Sequence, residues 1–120
     1  MKFDHVVVSV RALEASVPWY EAVLTAIGFT RTRDHVWVNE QGEAVDVRAA
    51  SEPDHAYVRG GVGVNHLGFA APSREAVEAV AERLRDAGLE VPAIQHFGEA
   101  RALFMKDPDG MRIEIAHEPG

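Results

Sequence analysis

Two histidines and two carboxylates recur at matching positions in the two halves of this 120-residue chain. His5 and His66 each lie near the start of an apolar, β-branched or aromatic run, and Asp46 and Glu114 each follow a turn glycine by four residues. Imidazole and carboxylate together suit Zn, Ni, Mn or Fe(II). If the halves are related by a pseudo-twofold axis, all four side chains meet, so the pattern predicts one divalent-metal site.

Each acid lies between β-branched residues, as Val-Asp-Val in one half and Ile-Glu-Ile in the other. Alternation along a strand then places Asp46 and Glu114 on one face and their neighbours on the opposite face. A polar face that is only wetted by solvent has the same alternation and needs no metal. The equivalent placement of all four residues is the observation that favours the metal site.

Two arginines share these faces by the same parity. Arg48 is two residues after Asp46, and Arg112 is two residues before Glu114. Both arginines are candidates for a substrate pocket that binds an anionic group. The alternative is that each arginine pairs with its neighbouring acid on a solvated surface.

The elements that must position these residues follow one plan used twice, strand, helix and three strands. An apolar helical pattern with Trp19 and Tyr20 ends at Gly28, and we expect Pro18 in the opening turn of that helix. A second helix follows Pro72-Ser73 and ends at Gly88. The strands are predicted at about residues 3–10, 29–33, 36–39, 44–49, 64–70, 89–91, 102–106 and 111–116.

The predicted fold is α+β, with module one at about residues 1–50, a linker rich in Gly, Pro and charge at about 51–63, and module two at about 64–118. Neither βαβββ module is large enough to bury a sheet face alone. We therefore expect residues 1–120 to form a single domain.

Composition excludes several classes of function. The net charge of −7 and the absence of a basic block disfavour nucleic acid and anionic membranes as partners. Zero cysteines exclude thiolate metal sites and cysteine nucleophiles. No apolar segment is long enough to span a membrane, and acid and arginine interrupt the apolar run of the first 16 residues, unlike a signal peptide. We expect a cytoplasmic protein.

The chain resembles the vicinal oxygen chelate superfamily, which contains glyoxalase, bleomycin-resistance proteins, fosfomycin-resistance enzymes and extradiol dioxygenases. The most specific matches are the segments 64–69 and 104–115, the latter with its Asp-Pro-Asp-Gly turn. The resemblance implies paired βαβββ modules forming a cup of mixed sheet, a homodimer, and a divalent metal. Matched position by position, the metal ligands are His5, His66, Glu114 and Asp46.

Asp46 stands where Glu or Gln is more usual in glyoxalase-like members, so binding through water is an alternative to direct coordination. The implied reaction is glyoxalase-like isomerase or lyase chemistry on a small molecule with vicinal oxygens, with Glu114 as ligand or catalytic base. One alternative is a metal-free, ligand-sequestering protein of the bleomycin-resistance type. Another is an Fe(II) extradiol-type dioxygenase, which is disfavoured because Phe104 replaces that group's tyrosine.

Overall fold

The computed structural model describes residues 1–119, and its contacts divide the chain into two compact units, with the boundary along the chain between Ala56 and Tyr57. Each unit is a strand, a helix and three strands, which confirms the predicted α+β class and the repeated plan. The first unit contains β1 (His5–Val10), α1 (Leu13–Ala26), β2 (Thr30–Arg33), β3 (Val36–Val38) and β4 (Ala44–Ala49). The second contains β5 (His66–Ala70), α2 (Arg74–Asp86), β6 (Gln95–Phe97), β7 (Ala100–Lys106) and β8 (Arg112–His117).

The sheet of the first unit has the order β1-β4-β3-β2, with β1 parallel to β4 and the other pairs antiparallel. Its apolar face packs on α1. Trp37 is fully buried on this face and donates its indole N–H to the carboxylate of Glu21 on α1. The core of this unit lies between helix and sheet, formed by Val8, Val10, Tyr20, Val23, Leu24, Trp37, Val45 and Val47.

The sheet of the second unit has the equivalent order, β5-β8-β7-β6, and packs on α2. Ser73 caps α2 by accepting a hydrogen bond from the backbone N–H of Ala76 at 3.1 Å. The residues at the predicted apolar spacing of this helix are buried against the sheet, as Val77, Val80, Ala81 and Leu84. Parity along β8 then leaves Arg112 and Glu114 on the face away from α2.

The prediction that Pro18 lies in an opening turn is wrong. Helix α1 begins at Leu13, so Pro18 is its sixth residue and lies inside the helix. Proline at that position lacks the N–H that would bond to the carbonyl of Glu14. The helix extends further toward the N-terminus because Leu13 and the buried Ser16 belong to its packed face.

The strand predicted at residues 89–91 is also wrong, because the edge strand is β6, at Gln95–Phe97. Pro92 cannot donate a ladder hydrogen bond, which disfavours a strand around it. Gly98 instead adopts a positive φ of 60° in a two-residue turn that joins β6 to β7 as a hairpin. His96 therefore lies on an edge strand.

Candidate functional site

Direct contact between His66 and Glu114 is the centre of the candidate site. In the parallel pairing of β5 with β8, Gly68 lies opposite Glu114, and His66 is two residues before Gly68 on the same face. Nε2 of His66 lies 3.1 Å from Oε1 of Glu114. The side chains are 39% and 23% exposed, respectively, so a small molecule can reach both.

The neighbours of Glu114 give this face its shape. A Cβ placed on Gly68 would lie 3.6 Å from Oε1 of Glu114, so the glycine leaves one side of the carboxylate open. Phe104 lies opposite Glu114 on β7, and its ring centre is 6.0 Å from that of His66 at an interplanar angle of 70°. We name the face that carries His66, Gly68, Phe104, Arg112 and Glu114 the polar face of the second sheet.

A hydrogen-bond network lies behind His66. Its Nδ1 is 2.8 Å from Oδ1 of Asn65, and Nδ2 of Asn65 donates to the carbonyl of Arg59 at 3.0 Å. The hydroxyl of Tyr57 is 2.9 Å from the carbonyl oxygen of Val64 and 2.6 Å from that of Asn65. The segment before β5 is thus tied to the imidazole from the side opposite Glu114.

The pair fits a divalent metal. Nδ1 of His66 faces the side-chain oxygen of Asn65 and Nε2 faces the carboxylate of Glu114, so each ring nitrogen has an acceptor beside it. When the ring carries its proton on Nδ1, the Nε2 lone pair and the carboxylate are two acceptors side by side. Two acceptors in this position attract a proton or a metal cation. Two ligands of one metal at bond lengths of about 2.0–2.2 Å lie about 3.0 Å apart in an octahedral site and about 3.4 Å apart in a tetrahedral one, and the 3.1 Å between Nε2 and Oε1 lies in this range.

The first unit places its histidine and acid in the same relation. Val7 lies opposite Asp46 in the pairing of β1 with β4, and His5 is two residues before Val7. Nδ1 of His5 is 2.6 Å from Oδ2 of Asp4. Asp46 accepts two hydrogen bonds from Arg48 instead, at 3.0 and 2.7 Å. The repeat equivalence is therefore present in the register, while the side-chain partners differ.

The two arginines behave differently. Arg48 pairs with Asp46, the alternative considered for both residues, and Asp46 raises the pKa of its guanidinium above the ordinary value, first through the hydrogen bond and then through its charge. Glu114 pairs with His66 rather than with Arg112. Arg112 lies in register between His66 on β5 and Lys106 on β7, so the polar face of the second sheet has a cationic row beside Glu114.

Of the four predicted ligands, His66 and Glu114 are in contact, whereas His5 and Asp46 each bond to another residue of their own unit. Within residues 1–119 no three His, Asp or Glu side chains form a group arranged to hold a metal ion. The sequence analysis did not predict that Asp4 and Asn65 contact the two histidines. Their signal was available, since each immediately precedes its histidine.

No helix within residues 1–119 has the length and apolar character needed to cross a membrane.

The sequence profile of the Glyoxalase/Bleomycin resistance protein/Dioxygenase superfamily matches residues 2–115. This match covers nearly the whole chain. Each unit of the fold has the βαβββ order that the resemblance implied. The chain belongs to this superfamily, which confirms the resemblance identified from the sequence.

In a comparison with known proteins, the chain is 28% identical to Glyoxylase I 4 of Arabidopsis thaliana, covering 95% of this chain and 69% of that protein. A glyoxylase/bleomycin resistance protein/dioxygenase domain from Frankia sp. EAN1pec shares the fold with a TM-score of 0.77 at 21% identity, covering 99% of this chain and 93% of that one. A glyoxalase/bleomycin resistance protein from Albidiferax ferrireducens T118 has a TM-score of 0.69 at 26% identity, covering 98% of each chain.

Proposed function

We propose that the protein is a divalent-metal-dependent enzyme of the glyoxalase type, with isomerase or lyase chemistry on a small molecule that carries vicinal oxygens. The observation that carries the proposal is the 3.1 Å contact between Nε2 of His66 and Oε1 of Glu114. Register places His5 and Asp46 in the same relation within the first unit. The likeness to Glyoxylase I 4 of Arabidopsis thaliana supports the reaction class.

The proposed metal ligands are His5, His66 and Glu114, with Asp46 as a fourth ligand that binds directly or through water. Zn, Ni, Mn and Fe(II) all suit imidazole and carboxylate. When bound, such a metal polarises adjacent substrate oxygens and acidifies the neighbouring C–H. Arg48 competes with the metal for the carboxylate of Asp46, which favours the water-mediated role.

Glu114 is the proposed proton carrier. One oxygen of its carboxylate faces His66, and the second is available to accept a proton from substrate carbon and return it to the adjacent carbon. Gly68 leaves the approach to this carboxylate open. Phe104 covers the opposite side with an apolar ring and limits the access of water.

Arg112 is the proposed anchor for an anionic group of the substrate. It lies opposite His66 on one neighbouring strand and opposite Lys106 on the other, and it is two residues before Glu114 on the same face of β8. Arg48 is a second pocket residue in the proposal, with a weaker effect because Asp46 already neutralises its charge. We further propose a cytoplasmic homodimer, in line with the resemblance and the cysteine-free composition.

Elemental analysis of purified, tag-free protein tests the proposal, before and after reconstitution with Zn, Ni, Mn or anaerobic Fe(II). Near-stoichiometric metal that is lost in His5→Ala, His66→Ala and Glu114→Ala variants is the expected result. His96→Ala is the control, because this exposed histidine of β6 has no assigned role. A wild-type protein that binds none of the four metals would contradict the proposal and favour the ligand-sequestering alternative. Turnover that requires Fe(II) and O₂ would favour the dioxygenase.

A further inference from the structure

Both histidines of the candidate site receive support from the residue directly before them. Nδ1 of His5 lies 2.6 Å from Oδ2 of Asp4, and Nδ1 of His66 lies 2.8 Å from Oδ1 of Asn65. The two contacts occupy equivalent places at the starts of β1 and β5. A neutral imidazole has one N–H and one lone pair. An acceptor beside Nδ1 therefore favours the N–H at Nδ1 and the lone pair at Nε2.

The direction of the bond at His66 follows from the atoms around Asn65. The carbonyl oxygen of Arg59 can only accept, so the amide nitrogen of Asn65 faces it and the amide oxygen faces His66. Asn65 therefore favours a proton on Nδ1 of His66, in competition with the Glu114 carboxylate, which accepts at Nε2. Tyr57 stabilises this arrangement, because its hydroxyl contacts the backbone carbonyls of Val64 and Asn65.

The first unit favours a proton on Nδ1 by a different route. The carboxylate of Asp4 only accepts, so Nδ1 of His5 donates to it. This bond is charge-assisted and therefore stronger than a neutral one. It is also more exposed, since the side chain of Asp4 is 81% exposed and that of His5 is 55% exposed. The bond of His66 is neutral, but the hydrogen-bonded segment from Tyr57 to Asn65 holds it in place.

We infer that Asn65 and Asp4 are positioning residues that accept the Nδ1–H of His66 and His5 and so favour the form in which Nε2 keeps its lone pair for the metal. This inference rests on the proposed function in one respect, the role of the Nε2 lone pair as a metal ligand. A histidine ligand held by a hydrogen bond at its other nitrogen is fixed in tautomer and ring orientation, and loss of such a partner typically weakens metal binding 10- to 100-fold.

The test begins with ¹⁵N NMR of the imidazoles in the metal-free full-length protein, at a pH where they are neutral. We expect His5 of the wild type to carry the proton on Nδ1, and His66, whose Nε2 also faces the Glu114 carboxylate, to have a larger Nδ1–H fraction in wild type than in variants that lack the Asn65 acceptor. Asn65→Leu removes the acceptor and moves His66 toward the Nε2–H form, while His5 in the same sample is unchanged and serves as the reference. Asn65→Asp restores an acceptor and keeps the wild-type tautomer. Asp4→Leu and Asp4→Asn give the reciprocal pair for His5.

The second measurement is affinity for Co(II), followed by its visible absorption, and for Zn by competition. We expect Asn65→Leu to bind each metal about 10- to 100-fold more weakly than wild type, and Asn65→Asp to remain within a few fold. Asn65→Ala removes the same acceptor and replaces Asn65→Leu if that variant does not fold. An unchanged His66 tautomer in the variants without an acceptor overturns the inference, even if their metal affinity falls.

Failure of the proposed function has a different signature. If wild-type protein binds neither Co(II) nor Zn while the tautomer of His66 still depends on the residue at position 65, the positioning role stands and the metal proposal falls. If wild type binds metal and substitutions at positions 4 and 65 leave the tautomers of His5 and His66 unchanged, the metal proposal stands and the positioning role falls.

Discussion

Gly68 lies directly opposite Glu114 across the parallel strands β5 and β8, and a Cβ on it would be 3.6 Å from Oε1 of Glu114. At the equivalent place in the first unit, Val7 lies opposite Asp46 and is 42% exposed. The two units therefore differ in how freely their acid can be approached, because only the second lacks a side chain there.

This relationship predicts a graded response to substitution at Gly68. Gly68→Ala is expected to keep most activity, because 3.6 Å is an ordinary van der Waals contact. Gly68→Val adds methyl groups beyond the Cβ that crowd the carboxylate of Glu114, and it should lower kcat/KM at least tenfold. Steady-state kinetics and metal content of the two variants provide the measurement. Equal activity of Gly68→Val and wild type would show that the open approach is not used.

Glu114→Gln removes the ability of residue 114 to carry a proton while it keeps nearly the same side-chain size. The amide is nearly the same size as the carboxylate, but it cannot accept the substrate proton, so we expect kcat to fall about 10²- to 10⁴-fold. Exchange of the substrate C–H with D₂O should fall in parallel, and quantified metal content allows the rate to be expressed per bound metal. Full exchange activity in metal-loaded Glu114→Gln would move the proton transfer to another residue.

Arg112 and Arg48 form a matched pair for the recognition of charge. Arg112→Met is expected to raise KM for an anionic substrate about tenfold or more, because its guanidinium lies in the row beside Glu114. Arg48→Met should have a smaller effect, because Asp46 already pairs with Arg48. KM measured at low and high salt checks the origin of the effect, which salt should weaken in wild type. A larger effect at Arg48 would reverse the assignment.

The core makes a prediction that does not depend on the reaction. Val77 is fully buried on the face of α2 that packs against the sheet, whereas Val62 is fully exposed. Val77→Ala should lower the free energy of unfolding by about 2 kcal/mol through lost burial and the cavity that remains. Val62→Ala should leave it nearly unchanged. Denaturant unfolding of both variants tests the prediction, and similar losses would contradict the packing of α2 on its sheet.

Sequence patterns predicted the elements whose packing is periodic. Val77, Val80, Ala81 and Leu84 repeat at helical spacing, and the alternation around Glu114 placed it on the face away from the helix. The edge strand β6 was missed because an edge strand has little buried surface to impose a pattern. Pro18 was misplaced because the packing of α1 tolerates a proline inside the helix.

The candidate site was predictable only in part for a related reason. Parity placed His66 and Glu114 on one face, and the register of β5 and β8 agrees. The roles of Asp4 and Asn65 depend on hydrogen bonds between adjacent residues and across a loop, which have no period in the sequence. Strand alternation places Arg48 and Asp46 on the same face, but it does not determine whether their side chains pair. That pairing depends on side-chain geometry.

The different partners of the two acids give the two repeats different electrostatic characters. Arg48 cancels the charge of Asp46, so that pair is neutral as it stands. Glu114 has an imidazole as its partner instead, with Arg112 and Lys106 in the neighbouring register row. Starting from the same backbone plan, one repeat pairs its acid with a fixed cation, and the other pairs it with an imidazole, which can bind a metal ion through a lone pair that an arginine lacks.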